Sequence, residues 1–186
     1  MRIATIGRGN VGGGLARLWR AAGHDVEEFG REGGDASNAD AVLLAVPSSA
    51  IRDALAAVKL ADGVPVIDAT NAFHGREEGF DSLAAQVKDA TGGPVAKSFN
   101  ANFATLFDKL GSLERRPGNL FAADNEARAV TEQLIADAGY EPVYAGGLES
   151  ARALEDFLGL MMGIRQGGMG QFFYRFAAPE SFQTSR

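Results

Sequence analysis

The chain of 186 residues contains no cysteine and only two histidines, His24 and His74. Disulfides, thiolate metal sites and cysteine nucleophiles are therefore excluded, and a zinc site would have too few imidazoles to draw on. Basic residues are also scarce, with 18 lysines and arginines against 24 acids and a net charge of −6. With no basic cluster to override that balance, nucleic acid and an anionic membrane surface are not expected as partners. No apolar run approaches the roughly 20 residues of a membrane span. The first strand begins at Met1 itself and leaves no room for a signal peptide, so the expectation is a cytoplasmic protein acting on a small molecule.

What is present is a globular composition, 46% hydrophobic and 23% charged, in a chain long enough for one domain with an appended segment. Short apolar runs, "RIATI", "DVEEF", "AVLLAV", "PVIDAT", "PVAKSF", "NLFAA" and "PVYAG", alternate with helical patterns. Several are apolar on both faces, as in parallel strands covered by helices on both sides. Val11, Leu15, Leu18, Trp19 and Ala22 recur at helical spacing and Gly23 stops that helix; Ala127, Val130, Leu134 and Ala138 repeat the pattern and Gly139 the stop. The segment from Gly30 to Asp40 carries no apolar stripe and is expected to be a loop or a single helical turn. From Ser150 onward the chain reads as helix. The expected fold is α/β, a Rossmann-type doubly wound, mostly parallel sheet with helices on both faces and a C-terminal helical extension. Residues 1–149 form the dinucleotide-binding domain in this reading, and 150–186 the helical segment.

Gly7, Gly9 and Gly12 form G-x-G-x-x-G directly between a strand and an amphipathic helix. The first permits a tight turn, the second lets the backbone approach a pyrophosphate, and the third lets helix and strand pack closely. Arg8, Asn10 and Val11 complete the loop, whose helix aims unpaired N–H groups and a positive dipole end at the phosphates. Gly13 and Gly14 exceed the motif, and small residues there would make room for a ligand. After the second strand come Gly30 and Arg31, with no acid at the tip. An arginine there accommodates a 2′-phosphate and points to NADP(H); in the alternative, Arg31 is solvated and Glu28 binds the ribose.

Ligands in open α/β sheets bind beyond the carboxyl ends of the strands. Those ends carry Val46, Pro47 and Ser48, then Thr70, Asn71 and Ala72, then Lys97, Ser98, Phe99, Asn100 and Asn102. Small and amide side chains of this kind hydrogen-bond a carboxamide or pack on a flat ring, although Ser48 would equally serve as a helix cap. None is an activated acid or base, so no catalytic residue and no metal ligand is assigned. Lys97 would act as a base only if burial lowered its pKa, and His74 reads as a surface loop residue.

With these residues placed, the chain resembles the family of NADPH-dependent deazaflavin (coenzyme F-420) reductases over nearly its whole length. The likeness rests on "MRIATIGRGNVGGGLARLWRAAGHDV", on Gly30–Arg31, on "VAKSFNANFATL" and on "AGGLESARALEDFLGLMMGIRQGGMGQFFYRF". The resemblance implies hydride transfer between NADP(H) and a deazaflavin, with FMN as a related acceptor. Asn100, Ala101, Asn102 and Phe103 would lie beside the two rings, Gly168, Met169 and Gly170 in a closing helix, and the C-terminal helices would join two subunits. The chain departs from the family at Glu32, where positive charge is usual, and in its shorter crossover. Relatives of the fold reduce flavins, ferric iron or imines, and a redox sensor that holds NADPH without turnover is the reading from another class.

Overall fold

The computed structural model describes residues 1–73 and 75–179. His74 and residues 180–186 of the expected helical segment lie outside the described residues. In chain order the elements are β1 (Arg2–Ile6), α1 (Asn10–Ala21), β2 (Asp25–Phe29), β3 (Gly34–Ala36), β4 (Ala41–Leu44), α2 (Ile51–Ala57), β5 (Val58–Leu60) and β6 (Val66–Asp68). There follow α3 (Leu83–Thr91), β7 (Val95–Lys97), a 3₁₀ segment (Ala104–Ser112), β8 (Gly118–Ala123), α4 (Asn125–Asp137), β9 (Glu141–Tyr144) and α5 (Ala151–Ile164).

The seven apolar runs become one seven-stranded sheet in the order β2-β1-β4-β6-β7-β8-β9. All neighbours are parallel except β7 and β8. The strand order reverses between β1 and β4, which opens a crevice at their carboxyl ends. Successive residues of β1 face opposite layers, as the period of two requires. Ile3 joins a core with Leu15, Trp19, Leu134 and Phe107, from α1, α4 and the 3₁₀ segment. Ala4 and Ile6 join another with Ile51, Leu55, Leu83 and Val87, from α2 and α3. Trp19 is fully buried, and its indole N–H donates to the Leu134 carbonyl at 2.8 Å, tying α1 to α4. Helices thus cover both faces.

Two regions differ from expectation. The segment after β2 is neither a plain loop nor a helical turn: it contains β3, which pairs with β5 in a separate two-stranded parallel sheet. Each strand has three residues, too few to carry an apolar pattern. The tail is not helical to its end. Gly168 and Gly170 take positive φ values of 110° and 71°, and the chain leaves a π-helical turn (Arg165–Met169) as an extended strap. The strap lies along β8, where the Gly118 N–H donates to the Tyr174 carbonyl at 2.7 Å and the Leu120 N–H to the Tyr174 hydroxyl at 3.3 Å.

Helix α5 is held against the sheet by a buried charge cluster. The side chains of Lys97, Asp68 and Glu155 are all fully buried. Lys97 Nζ lies 2.8 Å from Asp68 Oδ2 and 3.4 Å from Glu155 Oε1, and donates to the Thr70 carbonyl at 2.6 Å. Glu155 also accepts from Arg76 Nε at 2.7 Å and from the Leu83 N–H, the first of α3, at 2.8 Å. Breaking a buried pair strands its partner without solvent, at a cost of roughly 3–5 kcal/mol. Glu155→Ala is therefore expected to lower stability by about that amount in urea unfolding; an unchanged midpoint would show that α5 is held by its apolar residues alone.

Candidate functional site

The reversal between β1 and β4 carries a cleft of about 760 Å³. One wall is the loop from Gly7 to Gly9, another is Gly30 and Arg31 at the tip of β2, and a third runs from Ala45 through Pro47 into α2 as far as Ala57. The three motif glycines stand there for different reasons. Gly7 has φ of 108°, and a Cβ on it would strike the Ala45 carbonyl. A Cβ on Gly12 would strike the Gly7 carbonyl, so this glycine lets α1 start against the end of β1. At Gly9 a Cβ would meet nothing within 4 Å. No contact with a described residue requires that glycine, and the free space above it is open to a phosphate approaching the backbone.

Gly9 is also the N-cap of α1, and no side chain caps that helix. The first amides of a helix lack intrahelical partners, so those of Asn10, Val11 and Gly12 face the loop with the positive end of the dipole behind them. The loop can hold a pyrophosphate. Gly14 does something else. A Cβ there would lie 2.6 Å from the Phe107 ring, so its smallness admits a core phenylalanine rather than a ligand.

At the tip of β2, Arg31 is exposed and its side chain makes no hydrogen bond or ion pair with a described residue. Glu28, the alternative ribose acceptor, is bound by Arg20 at 2.7 Å. Arg8 donates to the Glu28 carbonyl at 2.9 and 3.2 Å and pairs with Glu32 at 2.5 Å.

Beyond Pro47 the site becomes polar. Ser48 is only 6% exposed, and its hydroxyl has no hydrogen-bond partner among the described residues and caps no helix. The residue lines a second cavity of about 410 Å³ with Arg52, Arg76 and Glu77. Thr70 is buried, with its N–H on Asp68 Oδ1 at 2.8 Å and its carbonyl on Lys97. Asn71 and Asn100 exchange hydrogen bonds: Asn71 Nδ2 donates to the Asn100 carbonyl at 2.9 Å and Asn100 Nδ2 to Asn71 Oδ1 at 3.3 Å. Asn100 also donates to the Leu154 carbonyl of α5 at 2.8 Å. Lys97 is buried, donates to Asp68 and to the Thr70 carbonyl, and pairs with Glu155. With its ammonium group engaged in this way it serves as a structural cation.

Other predicted residues lie apart from these. Asn102 turns towards β8, where its Nδ2 donates to the Gly118 carbonyl at 3.2 Å. Ala101 is buried, and the Phe103 ring meets that of Phe172 edge-on at 5.6 Å. Gly168, Met169 and Gly170 are exposed and do not line the main cleft.

Sequence reasoning misses two residues and the role of a third, Phe99. Glu155 is a lone acid on the inner face of an apolar helix. Phe99 adopts φ of 59°, which side chains other than glycine rarely take. It is held there by edge-on contacts with Trp19 at 5.9 Å and Tyr140 at 6.4 Å. Asn119, fully buried in β8, accepts from Ser98 Oγ at 3.0 Å and from the Phe99 N–H at 3.4 Å. The left-handed Phe99 turns the chain after β7, where Asn100 meets Asn71. The acid in "LEDFL" was a visible signal; a strand asparagine and a strained phenylalanine gave none.

No protein-family model matches the chain, and no curated protein matches it in sequence. Solved structures do resemble it. A candidate coenzyme F-420-dependent NADP reductase from Arthrobacter sp. FB24 is 20% identical, with a TM-score of 0.78 over 96% of this chain and 100% of that one. A hypothetical protein from Sinorhizobium meliloti is 23% identical, with a TM-score of 0.65 over 95% and 94% of the two chains. A reductive aminase from Aspergillus terreus, in complex with NADPH and ethyl levulinate, is 17% identical, with a TM-score of 0.64 over 89% of this chain and 62% of that one. The shared feature is the fold: a mostly parallel sheet covered by helices on both faces. The first of these structures carries the description of the family that the sequence resembles.

The contrast between the glycines is testable by stability alone. Gly9→Ala is expected to cost about 1 kcal/mol or less, the price of a poorer N-cap, whereas Gly12→Ala should cost roughly 2–3 kcal/mol through overpacking. Equal losses in thermal unfolding would mean that Gly9 also serves the fold.

Proposed function

We propose that the chain is a cytoplasmic NADP(H)-dependent oxidoreductase that moves a hydride between the nicotinamide and a deazaflavin or flavin-like acceptor. The observation that carries this reading is Gly9, a position left open by the protein's own atoms at the mouth of an uncapped helix. The likeness in fold to the Arthrobacter protein supports the choice of acceptor, and the NADPH complex of the Aspergillus enzyme supports the choice of dinucleotide.

In this reading Gly7, Arg8, Gly9, Asn10, Val11 and Gly12 hold the pyrophosphate, and Gly30 and Arg31 receive the adenosine ribose with its 2′-phosphate. Val46 and Pro47 pack on the dinucleotide, while Ser48, Thr70, Asn71, Asn100 and Asn102 serve the nicotinamide end. Among the described residues, the Ser48 hydroxyl and Asn102 Oδ1 have hydrogen-bonding capacity unspent there. Ala101, Phe103, Gly168, Met169 and Gly170 take the acceptor side. The cofactor supplies the hydride; the protein supplies orientation and a site from which water is excluded. A chemistry of this kind needs no activated acid or base, which suits a site whose nearby lysine, Lys97, is buried and engaged by Asp68, Thr70 and Glu155.

The segment 150–186 closes the pocket and joins two copies of the chain. Leu154 and Met161 of α5 are buried, whereas Leu160 and Ile164 on its outer side are 58% and 36% exposed. Light scattering should give twice the chain mass of 19.5 kDa, and Leu160→Asp should shift it towards the monomer. A wild-type monomer would leave the strap to close the pocket within one chain.

The decisive assay offers NADPH and, in turn, a deazaflavin, FMN, a ferric chelate and an imine. Oxidation of NADPH with the deazaflavin or FMN supports the reading, and turnover with iron or imine alone moves the assignment to that acceptor. Tight NADPH binding with every acceptor inert makes the protein a redox sensor. Arg31→Ala should weaken NADPH binding by about 1.5–3 kcal/mol and leave NADH nearly unchanged; equal losses would place the discriminating residue elsewhere.

A further inference from the structure

Three charged side chains meet at the tip of β2, and the assignment above uses Arg8 only as part of the phosphate loop. Two hydrogen bonds hold the Arg8 guanidinium on the Glu28 carbonyl, close to Gly30. A Cβ on Gly30 would stand 3.0 Å from Arg8 Nη1 and 2.5 Å from Glu32 Oε2. The guanidinium and the carboxylate therefore both lie over this glycine, with Glu32 Oε1 on Arg8 Nη2. Gly30, Arg8 and Arg31 line the cleft, and Glu32 does not. Its carboxyl is held below the usual carboxylate range, first by its own backbone N–H, with Arg8 and the Gly30 N–H adding to this against the opposing effect of desolvation. It is a standing negative charge.

We propose that Arg8 is a second cation of the 2′-phosphate site, masked by Glu32 when no phosphate is present, and that Glu32 sets how strongly the chain prefers NADPH to NADH. This rests on the dinucleotide reading above. The tip of β2 is where the ribose 2′ substituent stands in folds with this glycine motif. A 2′-phosphate arriving there finds Arg31 free and Arg8 already neutralised, with a like charge beside it. It replaces the carboxylate on Arg8, and Glu32 swings into solvent while remaining close enough to repel. NADH brings only a hydroxyl and leaves the Arg8–Glu32 pair intact, so the penalty falls on NADPH alone. The side chains of Arg8 and Glu32 are 54% and 59% exposed. An exposed pair of this kind is weak and opens readily, which makes Glu32 a tuner of preference rather than a block.

The test titrates wild type, Glu32→Gln, Arg8→Ala and the double variant with NADPH and NADH, and with adenosine 2′,5′-bisphosphate and 5′-AMP. Removing one negative charge beside a phosphate across a few ångströms of screened solvent should tighten NADPH and the bisphosphate about three- to tenfold. NADH and AMP should stay within about twofold, and the gain should shrink as salt rises. In the Arg8→Ala background Glu32→Gln should give a smaller gain, because the masked cation is gone. An unchanged ratio of NADPH to NADH affinity in Glu32→Gln would overturn the proposal while leaving the dinucleotide reading intact. So would a selective loss of NADH binding, which would make Glu32 a ribose ligand. A folded wild type that binds neither dinucleotide would overturn both.

Discussion

The buried carboxylate of Glu155 is the point on which the two halves of the chain meet. It brings α5 against a lysine at the end of β7, an arginine in the loop after β6 and the first amide of α3. The same lysine holds the Thr70 carbonyl, and the residue before Glu155 offers its carbonyl to Asn100. The strand ends that form the inner part of the candidate site are thus positioned from outside by a helix late in the sequence. Burying so many charges is costly in itself, and such a cluster is poor evidence for extra stability. Its value here is positional, because each member has one place in which all its bonds are made.

At the other end of the cleft the constraint is steric. Gly7 and Gly12 are required by carbonyls of the protein, so their presence would follow from the fold with or without a ligand. Among the described residues Gly9 has no such reason, and neither does Arg31, which has no hydrogen-bond or ion-pair partner among them at the tip of β2. These two residues, rather than the motif as a whole, separate a nucleotide cradle from a glycine-rich turn. The proposed preference for a phosphorylated ribose then depends on how the nearby charges balance, with Arg31 free and Arg8 shared with Glu32.

Much of this was legible in the sequence. The seven strands of the main sheet announce themselves because a parallel strand covered on both faces is apolar throughout, and Gly23 and Gly139 stop their helices with φ of 91° and 94°. Strands β3 and β5 were illegible, since three residues such as Gly34, Asp35 and Ala36 hold no periodicity. Gly14 was misread because a glycine that admits Phe107 looks the same in sequence as one that admits a ligand. The loss of helix after Met169 was signalled by Gly167, Gly168 and Gly170, but the docking of Tyr174 on β8 was not. Long-range pairs such as Lys97 with Glu155, or Ser98 with Asn119, join positions that no local pattern connects.

The central claim is that a hydride leaves the nicotinamide for the ring of a second molecule held against it. NADPH deuterated at the transferred position, mixed with the protein and an oxidised deazaflavin, tests this most directly. The accepting atom of a deazaflavin is carbon, so the label does not wash out into water. The account predicts reduced deazaflavin carrying deuterium, with NADP formed in equal amount. Bound NADPH that keeps its deuterium while the deazaflavin stays oxidised would contradict it.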